Sequence, residues 1–79
     1  MIEGTRKITK GDHNFEIIFG IQGDKFHVQH VISQDQQVNV PDEVIKEAVD
    51  ETEEVMSTWA ALDEEDYTWL NTHDIEIFA

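Results

Sequence analysis

Phe15-Glu16-Ile17-Ile18-Phe19-Gly20-Ile21, followed by Gln22-Gly23-Asp24-Lys25 and then Phe26-His27-Val28-Gln29-His30-Val31-Ile32, is the stretch that decides the fold. In its first run, apolar side chains recur at every second position (15, 17, 19 and 21). That is the period of a strand, and it sets these four on one sheet face with Glu16, Ile18 and Gly20 on the other. The four residues that follow carry turn chemistry, because Gly23 accepts a positive φ and the Asp24 carboxylate bonds nearby backbone. Alternation then resumes, with Phe26, Val28, His30 and Ile32 expected on one face and His27, Gln29 and Val31 on the other. The reading is a β-hairpin.

Working outward, Gly11-Asp12-His13-Asn14 reads as a second turn, which places a first strand over Thr5 to Lys10 with Ile8 as its anchor. Downstream, Ser33-Gln34-Asp35-Gln36-Gln37 is a polar connection and Val38-Asn39-Val40 a short extended piece. Pro41 then suits the first turn of a helix, where its missing N–H would have had no partner. Asp42 and Glu43 lie at the positive end of that helix's dipole. Val44, Ile45, Ala48, Val49, Thr52, Val55, Met56 and Trp59 trace one apolar stripe running to about Ala61. Glu43, Glu47, Asp50, Glu51 and Glu54 occupy the opposite face, with Lys46 beside them. Asp63 is placed to cap a short second helix, with Asp66 three residues on as an acidic variant of the capping box. Asn71-Thr72-His73 reads as a turn, and Ile75-Glu76-Ile77-Phe78 as a final strand at a sheet edge.

The expected fold is therefore α+β: a small antiparallel sheet, built from three N-terminal strands and a short C-terminal one, packed against one amphipathic acidic helix. Neither the apolar sheet face nor the helix stripe can be left in water, so each covers the other. At 79 residues the chain forms a single domain, 1–79, too small for a deep pocket. Its apolar share of 39%, with seven aromatics, is enough to fold despite the charge. The absence of cysteine removes disulfides, thiol nucleophiles and Cys-ligated metals. No apolar run approaches the ~18 residues of a membrane span, and Met1 to Lys7 lacks the apolar stretch of a secretory signal. The expected setting is the cytoplasm.

Charge is the dominant feature. Eighteen acids against five bases give −13. Residues 1–41 hold five acids against Arg6, Lys7, Lys10 and Lys25, a net of −1. Residues 42–79 hold the other 13 acids against Lys46 alone, a net of −12. From Asp42 to Asp66, 25 residues carry 11 carboxylates. If helical throughout, the segment would be about 37 Å long, roughly one negative charge per 3.4 Å of axis, the spacing along one strand of B-form DNA. Such a surface repels nucleic acid and anionic lipid and attracts basic partners. Glu–Lys pairs four apart would have supported a merely solvated helix, and they are nearly absent here. A ridge of this kind serves only if its carboxylates stay together and are not neutralised by Arg6, Lys7 and Lys10.

Other chemistry finds little support. His27 and His30, three apart on a strand, are expected on opposite faces, and no His-Glu-x-x-His spacing occurs, so no metal site is expected. Asp63-Glu64-Glu65-Asp66 lacks the alternating oxygen ligands and central glycine of an EF-hand loop. Ser33 and Ser57 have no base and orienting acid in sight. A solvated row of carboxylates offers no contrasting pair in a cleft for acid–base work, and no phosphate-binding glycine loop is present. Neither catalytic residues nor a cofactor are expected. Trp59 and Phe78 read as core, while Tyr67 and Trp69 follow the acid run and would anchor an interface if exposed.

In size and charge layout the chain is similar to the nucleic-acid mimics encoded by phages, which include anti-restriction and anti-CRISPR proteins. That likeness implies a binding-only inhibitor, monomeric or homodimeric, that occupies the nucleic-acid groove of a basic protein or complex without touching nucleic acid itself. Glu43, Glu47, Asp50, Glu51, Glu54, Asp63, Glu64, Glu65 and Asp66 would stand in for phosphates, flanked by Tyr67 and Trp69. An antitoxin or immunity-type protein capping a basic toxic enzyme fits the same charge, and a third class, a structural or adaptor module that uses an exposed sheet edge, would not need the acidic face. Crowded carboxylates repel one another and salt screens them within a Debye length. The thermal midpoint is therefore expected to rise with moderate salt and with mild acidification in melts followed by circular dichroism. A midpoint indifferent to salt would mean charges farther apart than the ridge requires.

Overall fold

The computed structural model describes residues 1–33, 40–62 and 67–78. Its elements are β1 (Ile2–Lys10), β2 (His13–Gln22), β3 (Lys25–Ser33), α1 (Asp42–Ala60), α2 (Tyr67–Thr72) and β4 (Ile75–Ile77). The strands form one antiparallel four-stranded sheet in the order β3-β2-β1-β4, so the fold is α+β as the sequence pattern requires. Gly11 (φ 60) and Gly23 (φ 65) open the two tight turns, each followed by Asp and each closed by a strand pair, Lys10↔His13 and Gln22↔Lys25. Glycine with positive φ at the first central position matches the right-handed twist of the flanking strands. These two-residue loops are shorter than expected: His13 and Asn14 already belong to β2, and β1 starts at Ile2 rather than Thr5.

The odd positions of β2 are the centre of the core. Phe15, Ile17 and Phe19 are fully buried beside Ile8 of β1 and Ile75 of β4. Burial of each such side chain contributes about 1.5–3 kcal/mol. α1 lays Ala48, Thr52, Met56 and Trp59 over them, and Leu70 of α2 closes one end. Pro41 sits one step before α1 rather than inside its first turn, and its carbonyl accepts from the N–H groups of Val44 (3.0 Å) and Ile45 (3.1 Å). Among the described residues no side chain caps that end. Trp59 is core as expected, although its indole Nε1 is buried with no hydrogen-bond acceptor among the described residues.

Phe78 is not core: it lies beyond β4 and is 55% exposed. β4 is only three residues long and ends where Phe78 donates its N–H to Glu3 (3.0 Å), which carries the aromatic ring past the sheet. Asn71 and Thr72 are helical, not a turn; the chain reverses at Asp74, which takes φ 60, a conformation that Asp tolerates better than most residues. The acidic cap at Asp63 and the extended Val38-Asn39 fall outside the described residues, while Val40 packs against the core.

The largest departure from the sequence pattern is in β3. Ile18 faces His30 while Phe19 faces Val28, so Gln29 is an extra residue in β3, a β-bulge. Before it, Phe26 and Val28 share the core face with Ile21 and Phe19. After it the phase is shifted by one, so Val31 and Ser33 share the core face while His30 and Ile32 join the outer one. His27 and His30 therefore lie on the same, outer face, opposite Gly20 and Ile18. Gly20 makes room for this: a Cβ there would meet the Gln29 amide nitrogen at 2.9 Å and the His27 ring at 3.0 Å.

Gly4 answers to a similar constraint on the core face, where a Cβ would meet the Glu76 carbonyl oxygen at 2.8 Å and the Phe19 ring at 2.9 Å. Backbone cannot swing aside as a side-chain end can, so Gly4→Ala has to push β4 off β1. The expected cost is about 1–3 kcal/mol, a fall in thermal midpoint of roughly 5–20 °C for a domain of this size. A melt of Gly4→Ala that overlays the wild type would mean the β1–β4 contact is looser than described.

Candidate functional site

The carboxylates of α1 do not all share one environment. At 3.6 residues per turn, the stripe that meets the sheet holds Ala48, Thr52, Met56 and Trp59, and Glu43, Glu47, Asp50 and Glu54 follow one another at steps of four, three and four on the side turned to solvent. All four are exposed. Glu51 sits one step round from them, toward the sheet, and is only partly exposed. Asp42 and Glu53 are exposed on the other flank, where Glu53 lines a shallow groove with Ile21, Phe26, Met56 and Ala60.

Two cations of β1 take the nearer carboxylates. Lys10 Nζ donates to Glu51 (2.9 Å) and to Glu47 (3.3 Å). Arg6 Nη1 lies 3.8 Å from Glu51 and donates to the Thr52 hydroxyl at 3.0 Å. The Arg6 Nε donates to the His73 carbonyl at 3.3 Å, so one guanidinium ties β1, α1 and the end of α2 together. Thr52, fully buried, donates its own hydroxyl hydrogen bond to the Ala48 carbonyl (2.7 Å). The ridge is thus partly neutralised by Arg6 and Lys10. Lys7 takes no part, because it lies on the other sheet face opposite Glu16, whose carboxylate accepts from the Thr5 hydroxyl.

Charge density is accordingly lower than a continuous helix from 42 to 66 would give. α1 ends at Ala60, and Asp63, Glu64, Glu65 and Asp66 lie outside the described residues. From Glu43 to Glu54 the solvent row has four charges over 12 residues, about 18 Å, or one per ~4.5 Å of axis. A single DNA strand has one per ~3.4 Å. Glu43, Asp50 and Glu54 have no ion-pair partner among the described residues.

The aromatic flank divides as well. Tyr67 is 52% exposed, with its ring centroid 5.9 Å from that of Trp59. Trp69 is turned inward by α2, half-buried against the core, with its ring 4.2 Å from the His73 imidazole. His73 Nδ1 lies 2.9 Å from the Trp69 carbonyl oxygen. Tyr67 is the one of the pair that a partner could reach. Among the described residues no three His, Asp or Glu side chains gather into a metal-binding group. No helix among the described residues is long and apolar enough to cross a membrane. Sequence reading names Arg6 and Lys10 as possible neutralisers of the ridge, together with Lys7, and puts Thr52 in the apolar stripe, but does not place Arg6, Lys10 or Thr52 in the site. The available signal was the four-residue spacing of Arg6 and Lys10, which puts both on the sheet face that the helix covers.

The Lys10 ammonium is held above its ordinary value of 10.5, first by the hydrogen bond to Glu51, against a smaller opposing effect of desolvation and with further help from Glu47. A raised folded-state pKa means stability that is whole below 10.5 and lost as the pH climbs through the raised value. Lys10→Gln is therefore expected to melt with a shallower alkaline decline than wild type, read as thermal midpoints stepped upward from pH 9. Parallel declines in the two proteins would remove Lys10 from the network. Compared with known protein families, curated proteins and solved structures, the chain matches none.

Proposed function

We propose that the protein is a binding-only inhibitor whose acidic ridge competes with nucleic acid for a basic groove. It would be of the kind that phages direct, in the bacterial cytoplasm, against restriction or CRISPR complexes. The observation that supports this reading is the straight row Glu43–Glu47–Asp50–Glu54 on the uncovered side of α1. Arg and Lys that grip phosphates grip carboxylates by the same charge-assisted hydrogen bonds. A net charge of −13 also steers a cationic partner from a distance and raises the association rate. Tyr67, exposed beside Trp59 at the C-terminal turn of α1, would supply an aromatic contact next to the acids that precede it in sequence. In this reading the chain binds and blocks, and performs no chemistry.

The network under α1 dictates which residues a test can change. Reversing Glu47 or Glu51 to lysine would set like charges against Lys10 and Arg6 and disturb the fold, so loss of binding by such variants would be ambiguous. Glu43→Gln, Asp50→Asn and Glu54→Gln together leave that network whole. Wild type and this triple variant, immobilised in parallel, are exposed to nuclease-treated bacterial lysate and eluted with a salt gradient. The wild type is expected to retain a basic nucleic-acid-binding protein that added double-stranded DNA or guide RNA displaces. The triple variant is expected to lose affinity roughly a hundredfold or more, since close charge pairs across interfaces couple by about 1.5 kcal/mol upward. Retention that ignores both the triple substitution and competing nucleic acid overturns the proposal. A single small toxic enzyme as the captured partner replaces it with the immunity-type reading.

A further inference from the structure

On the far side of the sheet from β4, β3 is an outermost strand nine residues long. Lys7 donates its N–H to Asp74 on the β4 side, which fixes the alternation of ladder bonds across the whole sheet. The odd residues of β1 point their backbone groups to β4 and the even ones to β2. In β2, the odd residues answer β1 and the even ones answer β3. Lys25, His27, His30 and Ile32 of β3, which face Gln22, Gly20, Ile18 and Glu16, take those bonds. Phe26, Val28 and Val31 consequently aim their N–H and C=O groups outward, past the edge. The same edge has apolar side chains on both faces, with Val31 38% and Ile32 45% exposed.

We infer that β3 pairs antiparallel with β3 of a second copy of this chain, joining two four-stranded sheets into one across a two-fold axis. Charge favours this edge over the β4 edge for a second copy, since β4 carries Glu76. β3 carries Lys25, His27 and His30 and no carboxylate, while each copy bears −13 overall. The acidic row leans the opposite way, since Glu47 and Glu51 reach β1, whereas the β3 side of α1 is a groove of Ile21, Phe26, Met56 and Ala60 in which Asp24 and Glu53 are the acids. Two such polyanions repel least where the paired strands themselves carry no acid, and a basic partner would choose the ridge instead.

The bulge adds a geometric reason. An unbulged strand laid along this edge would match β3 up to Gln29 and fall out of phase by one residue beyond it. A second β3 brings the same extra residue to the same place. With the axis between Gln29 and His30, Val28 lies opposite Val31 of the copy and Phe26 opposite Ser33, while His27 lies opposite Ile32. Core-face residues then meet core-face residues and outer meet outer throughout. The association closes at two copies, because the opposite edge, β4, is three residues long. This inference is independent of the acidic ridge, which remains outward-facing in the dimer.

Sedimentation equilibrium of the full chain, from about 10 µM to about 1 mM in moderate salt, provides the test. The expected mass is twice 9.1 kDa at the upper end. Val31→Lys is expected to raise the dissociation constant at least tenfold with an unchanged circular-dichroism spectrum. If that variant fails to fold, amide exchange on the wild type decides: Phe26, Val28 and Val31 should gain protection as concentration rises, while the β1–β2 amides stay constant. A chain that is monomeric throughout overturns the inference. So does a dimer whose β3 amides exchange at one rate at every concentration, or one that Val31→Lys leaves intact. Edge amides protected only on addition of an unrelated protein assign the edge to a foreign strand, and overturn it equally.

Discussion

A single helix must cover the single apolar face of a four-stranded sheet, and the rest of the molecule arranges itself around that requirement. Phe15, Ile17 and Phe19 project from the middle of the sheet, and the stripe Ala48–Thr52–Met56–Trp59 excludes water from them. A helix is narrower than four strands, since it is about 10 Å across and strands lie about 4.8 Å apart. Its placement over β1 and β2 therefore leaves margins. One is taken up by α2, through Leu70. The other, over β3, leaves Phe26 and Val28 half-buried and Val31 exposed.

Seating α1 over β1 also settles the electrostatics. Arg6 and Lys10 lie on the covered face of β1, so their charged ends emerge at the helix flank and meet Glu51 and Glu47. Arg6 is mostly buried, with 17% of its side chain exposed, and a guanidinium in that position is tolerable only with its donors satisfied. Thr52, Glu51 and the His73 carbonyl provide this. The same bonds orient α1 about its axis and thereby decide which carboxylates remain in solvent. Fold and candidate site are in this way coupled: the residues that hold the helix down also thin out its charge.

Most of the architecture could be read from residues in order. Period-two spacing in β2, the Gly-Asp turns, Pro41 before an i, i+3, i+4 stripe, and the late Ile-Glu-Ile each act within a few residues of themselves, so a local rule recovers them. Phe78 was misplaced because β4 ends one residue before it, which depends on where β1 starts. The β3 phase was misplaced because KFHVQHVI reads as unbroken alternation. Only its partner, with no residue opposite Gln29, reveals the insertion. The candidate site was legible as a run of acids on one helix. Its division into a paired part (Glu47, Glu51) and a free part (Glu43, Asp50, Glu54) was not, since that depends on side chains about 40 residues away in the chain.

By itself the sequence determined that this is a small α+β domain with one acidic helix over one sheet, because hydrophobic period and turn chemistry are local properties and net charge is a sum. The tertiary structure alone decided which face each half of β3 presents, which carboxylates Arg6 and Lys10 claim, and which strands lie at the sheet's edges. Each of these is a relation between distant segments, set by how one helix and four strands of unequal width share a single apolar surface.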